Sequence, residues 1–144
     1  MSNPNKAKGD RWERPVLAFF QERFGRAAIR PRQEGYVDVG DIHISPFALQ
    51  LKDEAKHNLS GYVNDAEKQA LAAGEPFGAA VVKRRRYSTE KGYVLMTLFT
   101  FREVLTRLRR AEELLARHAP EIYHTEHLPE PEPETEQESP PSQT

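Results

Sequence analysis

The chain contains no cysteine among its 144 residues. Disulfide bonds, thiolate nucleophiles and zinc sites with thiolate ligands are therefore excluded, and any bound metal must be held by oxygen or imidazole ligands. No apolar run approaches the roughly 18 residues that a membrane-spanning helix needs. The opening residues MSNPNKAKGD lack the apolar core of a secretory signal. We therefore expect a cytoplasmic protein that does not associate with a membrane.

Lysine and arginine are absent from residues 126–144, which contain six glutamates. Residues 1–125 carry 21 basic against 16 acidic residues, a net charge of +5 with histidine neutral. The stretch LPEPEPETEQESPPSQT has too few apolar atoms to offset the entropy that ordering it would cost. We predict a flexible N-terminus over residues 1–8, one folded domain over residues 9–119, and an acidic disordered tail over residues 120–144. The tail either solubilises the protein or contacts a partner.

Hydrophobic periodicity predicts an α/β domain in which helices alternate with strands. The predicted helices run from Asp10 to Phe24, from a Ser60 cap to about Ala73, and from a Thr100–Glu103 capping box to Pro120. The predicted strands are AAIRPR, DIHI, FALQLK, FGAAVVKR and YVLMTLF. DIHI and FALQLK flank the dipeptide Ser45-Pro46, which indicates a hairpin.

The polar face of this hairpin is the first candidate site. A two-residue turn pairs Ile44 with Phe47 and places Asp41 opposite Gln50. Directly opposed side chains lie about 5 Å apart at Cβ, so a carboxylate, a carboxamide and the Lys52 ammonium converge. Oxygen ligands of this kind suit Mg²⁺, beside which a lysine can act on an attacking water. The alternative is a polar strand face that is merely in contact with solvent.

Glu13 is the second candidate, because it shares the apolar side of the first predicted helix with Val16 and Phe20. A carboxylate on that side needs a partner. The alternative is a capping box from Asp10 to Glu13 that serves only the start of the helix. Pro15 lacks an amide donor, so the helix either begins later or kinks there.

The order of these residues resembles the PD-(D/E)xK nuclease superfamily, and more narrowly the archaeal-type Holliday junction resolvases, including versions carried by bacteriophages. The matching pieces are GDRWER, AIRPR, GYVDVGDI, LQLK, the following helix, AAVVKRRR and YVLMTL, over about residues 9–105. The resemblance implies a restriction-endonuclease-like αβββαβ core, with a mixed sheet flanked by helices. It also implies a Mg²⁺-dependent endonuclease, with Mn²⁺ as a substitute, which acts on four-way DNA junctions as a homodimer without a nucleotide cofactor. A phage-encoded version would work in the cytoplasm of a bacterial host.

Carried over residue by residue, the resemblance assigns four positions. Glu13 matches the helix glutamate, Asp41 the metal-binding aspartate, Gln50 the acidic position and Lys52 the lysine. Asp38 rivals Asp41, because its distance from the preceding strand also resembles the family's spacing. Gln50 departs from the usual carboxylate and supplies no negative charge, so metal affinity should fall.

Basic residues near these elements are candidate phosphate contacts. Four of them form a run that is expected at a strand end or loop, two precede the hairpin and one follows it. They are Lys83, Arg84, Arg85 and Arg86, then Arg30 and Arg32, and finally Lys56. The alternative is a set of solvated surface charges.

Three functions from different classes stay open. The first is a junction-resolving, structure-selective DNA endonuclease, a hydrolase of recombination or repair, or a restriction-like nuclease. The second is a DNA-binding module of the same fold that has lost catalysis, with Gln50 as the sign of that loss. The third is a protein-interaction domain whose acidic tail recruits partners.

Overall fold

The computed structural model describes residues 4–32 and 40–125 and shows an α/β fold. Four strands form one mixed sheet, and helices lie on both of its faces. The helices are α1 Pro4–Phe24, α2 Leu59–Ala73, α3 Leu98–His118 and α4 Pro120–Thr125. The strands are β1 Ile42–Ile44, β2 Phe47–Lys52, β3 Phe77–Val82 and β4 Tyr93–Leu95, and short 3₁₀ turns cover Gly25–Ala27 and Thr89–Lys91.

The sheet has the strand order β1-β2-β3-β4. β1 and β2 are antiparallel, with Ile44 paired to Phe47 as the turn predicts. β2 and β3 are parallel and connected through α2, and β4 returns antiparallel to β3. The predicted strand AAIRPR is reduced to a single bridge between Ile29 and His43. This segment therefore pairs with β1 through one bridge and does not form a full strand beside it.

The core has two layers because side chains of β2 and β3 alternate between the two faces of the sheet. On one face Leu49 and Val81 pack against Trp12 and Val16 of α1. On the other face Ala80 and Val82 pack against Tyr62 and Ala66 of α2. Every residue of β3 is buried, as expected for a parallel strand covered on both sides.

Helix α1 differs from its predicted form at its beginning. It begins at Pro4, so residues 4–8 are helical where a flexible segment was predicted, and Asp10 lies inside the helix. The capping box from Asp10 to Glu13 is therefore wrong. The helix runs through Pro15, which has no amide to donate to the carbonyl of Arg11.

Two further helix caps differ from the prediction by two or three residues. Asn58, not Ser60, caps α2, because its side chain accepts a hydrogen bond from Gly61 N at 3.0 Å. Thr97, not Thr100, caps α3, because Thr97 Oγ1 accepts from Thr100 N at 3.0 Å. At the other end of α2, Gly74 takes the left-handed conformation with φ 71° that a glycine cap allows.

Replacement of Asn58 by alanine should lower the free energy of unfolding by about 1 kcal/mol, since the amide of Gly61 loses its acceptor. Ser60→Ala is the matched control and should change stability by less than about 0.5 kcal/mol. Urea denaturation of the two variants measures both values. Equal destabilisation by the two substitutions would contradict the assignment of the cap.

Helix α2 lies unusually close to β3 at Gly78. An added Cβ at Gly78 would lie 2.3 Å from the carbonyl oxygen of Ala66 and 3.0 Å from Cβ of Ala70. Small residues on both elements therefore set the separation of the helix from the sheet. Because α2 and β2 together line the candidate site, this packing also fixes the geometry of that site.

The chain divides into two compact units, Met1–Thr106 and Arg107–Thr144, and the single domain predicted over residues 9–119 stays a prediction. The second unit contains the rest of α3 and then α4, so Pro120–Thr125 are helical where the tail was predicted to begin. The acidic remainder of the tail, residues 126–144, lies outside the described residues. No helix in the described part of the chain is long and apolar enough to cross a bilayer.

Candidate functional site

Asp41 lies where the β1–β2 pairing ends. The predicted register holds for the three residue pairs of β1. At Asp41 it does not continue, because Asp41 N donates to Leu49 O at 2.9 Å and this hydrogen bond takes the place of the expected direct pairing with Gln50. The preceding Gly40 has φ 93°, a conformation that favours glycine. The Asp41 carboxylate then accepts a hydrogen bond from Leu51 N through Oδ2 at 2.8 Å. Asp41 is thereby fixed beside the segment of β2 that carries Gln50 and Lys52.

Gln50 and Lys52 share one pocket on the α2 face of the sheet. The pocket has a volume of about 250 Å³ and is also lined by Asp65, Lys68 and Gln69 of α2. Gln50 Oε1 is buried, and no hydrogen-bond donor reaches it from the residues that the structure describes. A buried carboxamide oxygen without a donor is costly, so this atom fits a cation or water as its partner.

Lys52 is held at this pocket by two contacts with α2. Its Nζ lies 3.4 Å from Asp65 Oδ2 and 5.3 Å from the centre of the Tyr62 ring. The Lys52 side chain is only 16% exposed, whereas the Asp65 side chain is 53% exposed. The ammonium group is thus oriented toward the pocket by a carboxylate and an aromatic face.

Tyr62, whose ring contacts Lys52, is itself held in place through its hydroxyl group. Its hydroxyl donates to Glu54, and the carbonyl oxygen of Lys56 lies 3.2 Å from the same hydroxyl oxygen. Burial raises the pKa of Tyr62 above its ordinary value of 10.0, and the hydrogen bond to Glu54 acts in the same direction. The Glu54 carboxylate is therefore engaged by the Tyr62 hydroxyl.

The raised pKa of Tyr62 predicts a pH effect on stability. A folded-state pKa above the unfolded value of 10.0 means that the unfolded tyrosine loses its proton first as pH rises. The free energy of unfolding should therefore fall above pH 10, by at most about 1.4 kcal/mol per pH unit from this residue. Tyr62→Phe should lose that part of the slope. Urea denaturation from pH 8 to 11 tests this, and parallel curves for the two proteins would contradict it.

Glu13 is buried within α1, which packs on the opposite face of the sheet from Gln50 and Lys52. Its Oε1 lies 2.7 Å from Arg30 Nε, and the Arg30 side chain is 56% exposed. The structure therefore brings together Glu13 and the predicted phosphate contact Arg30. The predicted role of Glu13 as a metal ligand stays a prediction.

The basic run after β3 lies in a loop, as its position predicted. Lys83 and Arg85 both face Asp53, at 3.8 Å and 3.5 Å, and the Asp53 side chain is only 10% exposed. The guanidinium of Arg84 stacks on Tyr87, with its carbon 3.6 Å from the ring centre. Arg86 is exposed, with a φ of 69°.

Asp53 belongs to the α1 face, because Lys83 also lies 5.8 Å from the centre of the Trp12 ring. It is neutralised there by two cations, so it does not replace the carboxylate that position 50 lacks. Arg32 and Lys56 are exposed. Asp38 lies outside the described residues.

The structure thus assembles a pocket from Gln50, Lys52 and α2, with Asp41 fixed to the same segment of β2. Within residues 4–32 and 40–125 no group of three or more His, Asp or Glu side chains forms a metal site. The sequence prediction missed three residues of this pocket, Asp65, Lys68 and Gln69. All three lie within one or two turns of α2, and this spacing was the available signal that they share one region of the helix. Comparison with protein-family models, with curated proteins and with solved structures finds no match to this chain.

Proposed function

We propose that the chain is a Mg²⁺-dependent, structure-selective DNA endonuclease that resolves four-way junctions, with a restriction-endonuclease-like core. The observation that carries the proposal is the buried Gln50 Oε1, which has no donor among the described residues and shares a pocket with Lys52. An oxygen ligand and a lysine, two residues apart on one strand, are the pair that the resemblance implies. The mixed α/β sheet is compatible with that core.

The residues present fit a divalent cation in part. Asp41 and Gln50 would hold it, since both offer oxygen atoms and both belong to one short region of the β1–β2 hairpin. Such a cation, when bound, polarises a phosphate oxygen and makes a coordinated water more acidic. Mn²⁺, which also accepts oxygen ligands, is expected to substitute for Mg²⁺.

Lys52 performs the local chemistry in this proposal. Its ammonium is close to Asp65 and Tyr62, so its direction is fixed before DNA arrives. From that position it orients the attacking water and stabilises the charge that develops on the phosphate as the P–O bond breaks. The Lys52 ammonium can stabilise this charge only when it lies near the scissile phosphate. Its position on the same strand as Gln50 is consistent with that requirement.

Phosphate contacts come from cations outside the pocket. Arg30 is fixed by Glu13 but remains more than half exposed, so it can contact a phosphate without losing that partner. The Lys83–Arg86 loop retains positive charge, because its four cations outnumber the single carboxylate, that of Asp53, which Lys83 and Arg85 face. We assign Arg32 and Lys56 to the same role because both are exposed.

Symmetric cleavage of a junction needs two active sites, so the proposal includes a homodimer. Phe19 and Phe24 at the end of α1 are 44% and 51% exposed and offer apolar surface for such a contact. Sedimentation equilibrium of the full chain measures the oligomeric state.

The test is incubation of the purified protein with a labelled four-way junction and a matched duplex, in Mg²⁺ or in EDTA. Paired nicks at symmetric positions of the junction, present in Mg²⁺ and absent in EDTA, would support the proposal. Cleavage of duplex and junction at equal rates would instead indicate a restriction-like or repair nuclease.

The second candidate is a junction-binding module without catalysis, which the carboxamide at position 50 favours. It predicts tight junction binding, strongest at low salt, with no product in either Mg²⁺ or Mn²⁺. Absence of both binding and cleavage would favour a protein-interaction domain.

A further inference from the structure

Two exposed tyrosines and an arginine form a flat surface beside the basic loop that follows β3. Tyr87 lies in the loop and Tyr93 is the first residue of β4, and each is 45% exposed. The guanidinium carbon of Arg84 lies 3.6 Å from the centre of the Tyr87 ring and 5.6 Å from the centre of the Tyr93 ring. We call these three residues the tyrosine surface.

A tight turn holds Tyr87 against Arg84. Tyr87 N donates to Arg84 O at 3.3 Å, which closes a four-residue turn. The third residue of the turn, Arg86, has φ 69°, a left-handed conformation that glycine adopts more readily than arginine. The chain thus carries a cation where the backbone favours glycine, which fits a surface for an anionic partner.

The charge beside the tyrosine surface is positive. Lys83 and Arg85 face the carboxylate of Asp53. Arg84 instead faces the two rings, and the side chain of Arg86 is exposed. The loop therefore keeps two cations next to the tyrosines for the phosphates of a strand.

The register of the sheet places Tyr93 on the same face as the candidate pocket. Tyr93 pairs with Val82 of β3, and Val82 pairs with Lys52 of β2. Paired residues of neighbouring strands project to the same face, so Tyr93 and Lys52 lie in one row across the sheet. Strands about 4.8 Å apart separate the two residues by about 10 Å at the backbone.

Exposed rings beside cations suit an unpaired nucleotide better than a duplex or an acidic peptide. In a duplex, neighbouring bases cover the faces that a tyrosine ring would contact. An acidic peptide would use the cations but leave the rings without a flat partner. An unpaired nucleotide uses both, because its base stacks on an aromatic or guanidinium plane and its phosphate pairs with arginine.

We propose that the tyrosine surface binds single-stranded DNA, with an unpaired base stacked on Tyr87 or Tyr93 and the phosphates held by the basic loop. This binding requires neither a metal ion nor cleavage. Only its use, which is to hold an unpaired base of a branched substrate near Lys52, rests on the proposed function. The surface accepts any base, because every base has a face that stacks.

The test measures the fluorescence anisotropy of a labelled oligothymidine of about 12 nucleotides with the full chain, at low salt and in EDTA. The comparison probes are an abasic strand of the same length and charge and a blunt duplex. The parent should bind oligothymidine about tenfold more tightly than the abasic strand, which is the effect of one stacked base. Combining Tyr87→Ala with Tyr93→Ala should remove that difference and leave the affinities for the abasic strand and the duplex unchanged.

Two controls separate stacking from other effects of the substitutions. Combining Tyr87→Phe with Tyr93→Phe keeps both rings and should preserve all three affinities. Phe99→Ala removes another exposed ring that faces an arginine, since Phe99 is 64% exposed and lies 5.2 Å from the Arg102 guanidinium. Phe99 belongs to α3, beyond the opposite end of β4, so its loss should not change binding.

Equal binding of oligothymidine and the abasic strand by the parent would overturn the inference. An equal loss on both strands in the double alanine variant, or a loss in the double phenylalanine variant, would also overturn it. Absence of oligothymidine binding would overturn it and leave junction cleavage, the proposed function, standing. Oligothymidine binding of the expected kind without junction cleavage would support this inference and overturn the proposed function.

Discussion

Lys52→Ala should abolish Mg²⁺-dependent cleavage of a four-way junction, with a loss of about 10²–10⁴-fold in rate. The substitution removes the ammonium group that shares a pocket with Gln50, and no other lysine of that pocket lies on β2. The fold should persist, because the partner left behind, Asp65, is 53% exposed and is not stranded as a buried charge. The measurement is the single-turnover rate on labelled junction DNA.

Lys91→Ala is the matched control for this experiment. Lys91 is exposed in the 3₁₀ turn Thr89–Lys91, so its truncation removes one positive charge without touching the pocket. It should cleave within about twofold of the parent. Circular dichroism and urea denaturation establish that both variants are folded. Cleavage by Lys52→Ala at the parental rate would show that the chemistry takes place elsewhere.

Gly78→Ala should lower the free energy of unfolding by about 3 kcal/mol, at the upper end of what an added methyl group costs in a packed core. The new Cβ would lie 2.3 Å from the carbonyl oxygen of Ala66, and backbone cannot yield as a flexible side chain can. Helix α2 must therefore move away from β3. Thermal denaturation should show a midpoint lower by roughly 10 °C or more.

Gly61→Ala provides the contrast, because the three atoms nearest its added Cβ all belong to the side chain of Asn58, the first at 2.5 Å. The cost should be closer to the value for loss of that cap, about 1 kcal/mol, and a better helix former at this position offsets part of it. A midpoint for Gly78→Ala within about 2 °C of the parent would contradict the packing of α2 on β3.

The hairpin and the end of α2 could be predicted because each rests on a local pattern. Alternation in FALQLK gives the two faces of β2, and Ser45-Pro46 gives the register that pairs Ile44 with Phe47. Gly74 marks the end of α2 as glycine commonly does. Helix beginnings were less predictable, since Asn58 and Ser60, or Thr97 and Thr100, are chemically equivalent as caps.

The residues of the candidate site that lie on one strand were predictable from the sequence, but those that tertiary packing brings to the site were not. Gln50 and Lys52 follow from strand alternation, whereas Asp65 enters the pocket only through the packing of α2 on the sheet. The pairing of Glu13 with Arg30 is likewise a tertiary contact between the first helix and the segment before the hairpin. Periodicity showed that Glu13 needed a partner, but it contained no information on which cation would supply it.

The bond from Leu51 to the Asp41 carboxylate has a consequence for association between copies of the chain. Within residues 4–32 and 40–125, β1 pairs with only the first part of β2, so the last residues of β2 present backbone groups that a strand of another molecule can pair with. The Asp41 carboxylate accepts the hydrogen bond of the Leu51 amide. A charged side chain in that place cannot continue the backbone hydrogen bonds of a sheet. This contact thereby discourages edge-to-edge pairing between copies of the chain at Leu51.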